Sequence, residues 1–370
     1  MTTRICAGGI ALLLMSAPSA FAQNTYFLTQ QGSNQTANAT QDGVGNENTL
    51  SIEQLGLASH DNSVTAHQGG DTSINDAIIQ QSGGGSSNSV TVEQIGTGNE
   101  NMLSLVGQYG SQDIATLTQA GEANVNTGMV MQHGERNDVS ARQTGSGNTN
   151  DFAFNQSLDY NRAKIVQEGT GNTNHAGVAQ DYFDNAEIRQ SGSNTSNTSN
   201  MVMIGGGGAP ESFHETFVEQ TGDFNKNVSS VDQVGWGNGV YLKQSGTHTE
   251  NTSTIFQVGN YWTGNSWAII DQSGDHTINV SHITSDDIGQ HGNRITQGGD
   301  NARNTSDIGQ LGHGHQVTLI QNGDGTINTS GARQDGEGNH ATVTQGGVNA
   351  VNSSTIFQLG AGNIATVTQH

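Results

Sequence analysis

The sequence predicts an all-β solenoid of stacked strand-turn-strand-turn coils, about 24 residues per coil. Three observations predict it. Glutamine recurs at Gln297, Gln310, Gln321, Gln334, Gln345, Gln358 and Gln369. The gaps alternate, about 13 then about 11 residues, and a fixed period of this size marks a solenoid or array. Between the glutamines, apolar and polar residues alternate with period 2, as in a strand with two distinct faces. Glycine follows two residues later at Gly312, Gly323, Gly336, Gly347 and Gly360, where a sharp strand-to-strand turn needs positive φ.

The elements follow in chain order. Residues 1–22 read as a secretory signal peptide: Arg4 gives a positive start, residues 10–15 an apolar stretch, and Ala20-Phe21-Ala22 a cleavage site before Gln23. The stretch is too short to span a bilayer. Cys6, the single cysteine, falls inside it, so no disulfide is available beyond the leader. Residues 23–29 form a short segment ahead of the first repeat. Residues 30–200 are a first solenoid stretch. Residues 201–219 read as an irregular Gly-rich loop, because Met203-Ile204-Gly205 stands where a glutamine is due and the pattern fails through Pro210. The repeat resumes at Gln220 and fills residues 220–370, with the segment between Gln272 and Gln297 off register.

The last unit shows the physics. Asn363, Ala365, Val367 and Gln369 share one parity, whereas Ile364, Thr366 and Thr368 share the other. The first set is assigned inward, with the amides placed to form ladders between coils. Asn339-x-Ala341-x-Val343-x-Gln345 repeats it, as do the runs Asn48–Gln54, Asn88–Gln94, Asn137–Gln143, Asn150–Gln156 and Asn238–Gln244. In longer half-units the Asn still precedes the Gln by six residues, so added residues belong to turns. Coils stacked at about 4.8 Å pair their strands in parallel. Every buried amide then finds partners above and below. The expected assembly ladder is Gln310, Gln321, Gln334, Asn339, Gln345, Gln358, Asn363 and Gln369. An end coil lacks a neighbour on one side, and such an edge is a template for another chain.

Composition narrows the function. Hydrophobic residues make up 31% and charged residues 12% of the chain, with 52 glycines but only two prolines. Such low hydrophobicity ordinarily means disorder. The scarcity of proline and the regular alternation point instead to cross-β stacking. The net charge of −22 opposes nucleic-acid or anionic-membrane partners, and no segment beyond the leader is apolar enough for membrane insertion. No metal site is expected. His313 falls in a turn and His315 faces inward, with no further ligand at an established spacing. The acidic turns lack the nonapeptide order of calcium-binding β-rolls. Acids are dispersed through turns and no activated-nucleophile motif occurs, so neither catalysis nor a cofactor is expected. The pairs Thr116/Thr118, Thr342/Thr344 and Thr366/Thr368 read as ordinary exposed strand residues. Trp236, Trp262 and Trp267, near Tyr241 and Tyr261, read as local packing.

The form Gln-x-Gly-x-x-Asn-x-Ala-x-x-x-Gln is kept at every defined position by residues 334–345 and 358–369. Residues 108–119 keep it with Asp113 for the Asn, and 30–41 with Gln35. This form resembles the curlin repeat of bacterial curli subunits, and the resemblance runs from Gln30 to His370. It implies an extracellular functional amyloid whose subunits polymerise into surface fibres for adhesion and biofilm matrix. The partners it implies are further copies of the chain, a nucleator or sister curlin subunit, and outer-membrane secretion machinery. The chain departs from the familiar pattern in being far longer, and in a shortened or absent N-terminal secretion-addressing segment. A monomeric secreted solenoid adhesin, binding surfaces or matrix without polymerising, is the alternative.

Overall fold

The structure is a computed structural model that describes residues 23–55, 61–82, 87–205, 214–259, 266–286 and 290–370. The expected leader with Cys6, the Gly-rich stretch 206–213, Tyr261 and Trp262 lie outside the described residues. Every regular element described is a β-strand, 28 in all. The chain divides into two compact units, Met1–Tyr182 and Phe183–His370. No helix among the described residues is long and apolar enough to cross a membrane.

Both units are β-solenoids with the same plan. Successive strands alternate between two parallel sheets, and each strand pairs with the strand one coil later. The register matches repeat to repeat: Gln41 pairs with Gln68, and Gln345 with Gln369. Parity decides the faces. In His340–Gln345 the side chains of Ala341, Val343 and Gln345 are buried while those between them are not. A coil of this kind buries only a handful of apolar side chains, too few to offset the ordering of some two dozen residues unaided. Hydrogen bonding between coils must carry a large share of the stability.

Bends are set by glycine and by neighbouring coils together: Gly323 and Gly347 lie between strands, whereas Gly312, Gly336 and Gly360, expected in turns, lie within the strands Arg303–His313, Ile327–Glu337 and Val351–Ala361. Gly312, Gly323, Gly336, Gly347 and Gly360 all take positive φ. At Gly336, φ is 117° and a Cβ would sit 2.2 Å from the carbonyl oxygen of Gly360 one coil on. A side chain there is excluded twice, by conformation and by stacking.

Three expectations need correction. The irregular segment is shorter than 201–219: residues 201–205 complete the strand Ser196–Gly205 and residues 215–219 belong to Glu215–Gln220. Met201 and Met203 are buried, so methionine fills the inward place that glutamine holds elsewhere and the strand continues. The stretch between Gln272 and Gln297 keeps register, with Ser285 aligned to Gln257 and Gln310. Only the residue type changes. Conversely, added residues are not confined to turns. Asn101 precedes Gln108 by seven residues, and the register shifts between Leu103 and Leu105, leaving Ser104 as a bulge within the strand.

Candidate functional site

The interior amides form hydrogen-bonded columns. In unit 2, Gln297 Nε2 donates to Gln321 Oε1, Gln321 to Gln345, and Gln345 to Gln369, at 2.7–2.9 Å. On the other sheet Gln310 donates to Gln334 and Gln334 to Gln358, at 3.0 and 2.7 Å. The second Nε2 hydrogen crosses the interior to a backbone carbonyl of the facing sheet, as from Gln345 to Thr329 O at 2.9 Å. Because a carbonyl only accepts, this contact fixes which way each amide points. A glutamine such as Gln345 therefore joins successive coils and also the two sheets.

Asparagine serves in two ways. Asn339 caps a turn: its Nδ2 donates to Asp335 O and Gly360 O, and its Oδ1 accepts from Asn363 N–H. Asn363 Nδ2 also donates to Asn339 Oδ1 at 3.0 Å. A separate side-chain column runs through the longer strands. Asn352 Nδ2 donates to Asn328 Oδ1, Asn328 to Asn304, and Asn304 to Asn279, at 2.8–2.9 Å. The sequence reading did not separate this column from the capping one, although Asn328–Gln334 and Asn339–Gln345 share the same six-residue spacing.

These columns are polar in opposite senses. Glutamine donates toward the following coil and asparagine toward the preceding one. In unit 1 the same senses hold: Gln30 donates to Gln54 and Gln54 to Gln81, whereas Asn48 donates back to Asn24. The strands Ile364–Gln369 and Val351–Ala361 are each paired on one side only, as are Gln23–Gln30 and Thr36–Gln41. Gln369 spends one amide hydrogen on Ser353 O and Gln358 one on His340 O. The other hydrogen of each has no acceptor among the described residues. At the first coil, Gln30 and Gln41 donate onward, and among the described residues nothing donates to their Oε1 atoms.

A serine column, which the sequence reading missed, accompanies the ladder in unit 2. Ser199, Ser229, Ser253, Ser281, Ser306 and Ser330 are all buried. Ser229 Oγ donates to Ser199 Oγ and Ser281 to Ser253, while Gln272 Nε2 and Gln321 Nε2 donate to Ser281 and Ser330. Its signal is the run of Asn-x-Ser at 197, 227, 251, 279, 304 and 328.

Titratable groups replace the capping Asn at several places. Asp113 is fully buried, and that burial pushes its carboxyl up to about 7. His214 is buried and accepts from Asn238 N–H through Nδ1; burial lowers its pKa. His291 and His315 are buried, with rings stacked 5.3 Å apart. His315 Nε2 bonds Leu311 O, whereas His313 is exposed and ends the strand Arg303–His313 instead of lying in a turn as expected, so the two do not converge. On the outer sheet surface Tyr241 stacks on Phe217 at 5.2 Å, and Trp267 covers Gly292.

The repeat can now be compared with known families. The model of the curlin associated repeat matches residues 85–121. Residues 85–121 carry a curlin associated repeat. The matched residues hold Gln94, Gln108 and Gln119, rungs of the two glutamine columns of unit 1, and the bulge at Ser104. No curated protein matches the chain.

Proposed function

We propose that this curlin-repeat protein is an extracellular structural subunit that assembles head to tail into surface fibres, curli-like in serving adhesion and biofilm matrix. The observation that carries the reading is the polarity of the ladders. The last coil of unit 2 offers Nε2 donors at Gln358 and Gln369 and the Oδ1 acceptor of Asn352. The first coil of unit 1 offers Oε1 acceptors at Gln30 and Gln41 beside the Asn24 amide. Joining last coil to first continues the glutamine and asparagine columns and extends both sheets by parallel pairing. Joining like ends sets donor against donor. The residues at work are Gln310, Gln321, Gln334, Asn339, Gln345, Gln358, Asn363 and Gln369, with turn glycines keeping the coil interfaces flat enough to stack. The chain's own copies are its first partners, a nucleator or sister curlin subunit and outer-membrane export machinery the others. No step of this function calls for catalysis or a cofactor.

Expression of the chain with its leader, followed by immunogold microscopy of intact cells, tests the reading. Thin labelled fibres on the surface are expected. Label confined to dispersed monomer outside the cell would favour the non-polymerising adhesin, which shares the fold.

A further inference from the structure

Away from the ladders, the richest cluster of ligand chemistry lies on the turns of unit 2. His248 and His276 hold the left-handed position of successive coils, with φ of 54° and 52°. Their rings stack with centroids 4.7 Å apart and planes 11° from parallel. Phe224 stacks on the other side of His248 at 5.1 Å. The turn backbone fixes the column, since His248 N–H donates to Asp223 O and His276 N–H to Thr247 O, each at 3.0 Å. Asp275 lies beside them on a bridged column that includes Asp223, Thr247 and Asp300, and its carboxylate is 3.0 Å from His276 Nδ1. One ligand atom from each of His248, Asp275 and His276 lies within 4.8 Å of the others, and all three residues are exposed.

We propose that His248, Asp275 and His276 form a surface site for a divalent first-row transition-metal ion, zinc or copper(II). Two imidazoles and one carboxylate suit these borderline ions, whereas calcium and magnesium need sets of oxygen ligands. Zinc–nitrogen bonds of about 2.0–2.1 Å require the donor atoms to close by about 1 Å. Exposed side chains achieve that by rotation while the hydrogen-bonded turns hold their backbones in place. Water completes the coordination. The two histidines come from different coils, so a bound ion clips one coil to the next. It also places positive charge among Asp223, Asp275 and Asp300, where the acidic chain repels itself. The inward His315 cannot serve in this way, because its Nε2 is committed to Leu311 O.

The test is calorimetric titration of the full chain with zinc chloride, beside a His248→Asn/His276→Asn variant. Asparagine keeps the left-handed preference of the turn while withdrawing both imidazoles. The unaltered chain should bind one more equivalent of zinc than the variant, and Asp275→Asn should weaken that equivalent by about tenfold or more. Equal zinc stoichiometry in chain and variant would overturn the site. So would calcium displacing that zinc at equal concentration, since the donor set would then be oxygen alone. A measurement on the unaltered chain needs no variant to fold: zinc should protect His248 and His276 from carbethoxylation. Modification at the same rate with and without zinc would also refute the proposal.

Discussion

Units 1 and 2 share one strand plan and one register but fill their interiors differently. In unit 1 the position two residues after the ladder Asn carries Tyr26, Leu50, Ala77, Leu103, Gly128, Phe152 and Ala176; in unit 2 it carries serine throughout. The glutamine column of the longer strands is unbroken in unit 1, from Gln30 through Gln54, Gln81, Gln108, Gln132 and Gln156 to Gln180. In unit 2 it fails twice, at Met203 and Ser285. Both gaps receive donors from the facing sheet at a place otherwise apolar, and Ser285 Oγ itself still donates to Gln310 Oε1 at 3.2 Å. Thr216 Oγ1 donates to Gln233 Oε1 at 2.6 Å. Asn293 Nδ2 donates to Ser285 Oγ and Gln310 Oε1 at 3.0 and 2.8 Å. The second repair is incomplete, leaving Gln257 Nε2 and Asn293 Oδ1 buried without partners among the described residues. The difference shows that a buried amide's partner need not come from its own column, and that a substitute partner can leave single amide atoms unpaired.

Breaking that comparison at one equivalent position should give the largest effect. Phe152 is fully buried, with Gly128 leaving room for its ring. Phe152→Ala should cost unit 1 about 3–5 kcal/mol in denaturant unfolding. Ser281→Ala, at the matching place in unit 2, should cost only about 1 kcal/mol, because it removes one hydroxyl's bonds. Equal costs would mean that the two interiors do not differ in kind.

The titratable caps sharpen the contrast through its sign. The folded pKa of Asp113, about 7, lies above its ordinary 3.8, so folded unit 1 holds the proton more tightly than the unfolded chain. Its contribution is complete below about pH 4 and is lost as pH rises through about 7. Asp113→Asn, restoring the repeat's own residue, should therefore stabilise unit 1 at pH 8 by on the order of 2–4 kcal/mol and have little effect at pH 3. His214 runs the other way. Its folded pKa is below the ordinary 6.5, so unit 2 loses stability as pH falls beneath 6.5. The three tryptophans all lie in unit 2, and their fluorescence during unfolding at pH 5 and 8 follows that unit alone. A His214→Asn variant should flatten its pH slope; an unchanged slope would remove His214 from the explanation.

The mended gap offers a finer test. Asn293→Val should lower the stability of unit 2 by about 1–3 kcal/mol, because Gln310 Oε1 loses a donor. Adding Ser285→Gln should restore the column and recover more than the loss, giving Gln257 its acceptor. If the double variant is the less stable, the cross-sheet bonds are not a substitute for the ladder.

Much of this architecture was legible in the sequence. The glutamine period and the alternation of Asn339, Ala341, Val343 and Gln345 were enough to place coils, faces and turns, since strand parity leaves little choice once one face is buried. The rest depends on contacts across the interior, which a period along the chain does not encode. Ladder polarity is set by carbonyls such as Thr329 O on the other sheet. Thr216 and Asn293 make sense only beside gaps 13 and 8 residues earlier in the chain. The column of His248 and His276 passes unnoticed because four residues beyond the 24-residue period of the repeat put them 28 residues apart. The bulge at Ser104 adds a residue inside a strand, where repeat counting assigns it to a turn.

One smaller prediction concerns growth itself. Gln345→Ala/Gln369→Ala should slow fibre elongation while leaving secretion intact, as judged by the rate of extension from preformed seeds. An unchanged rate would count against the amide column as the growing interface.

The most direct measurement follows thioflavin fluorescence after the chain is diluted from denaturant, with and without fragmented seeds, and takes fibre diffraction from the product. The account predicts a concentration-dependent lag that seeding abolishes, and a meridional reflection near 4.8 Å, the spacing of stacked coils. A β-rich monomer that stays soluble at every concentration, even near its isoelectric point, would contradict it.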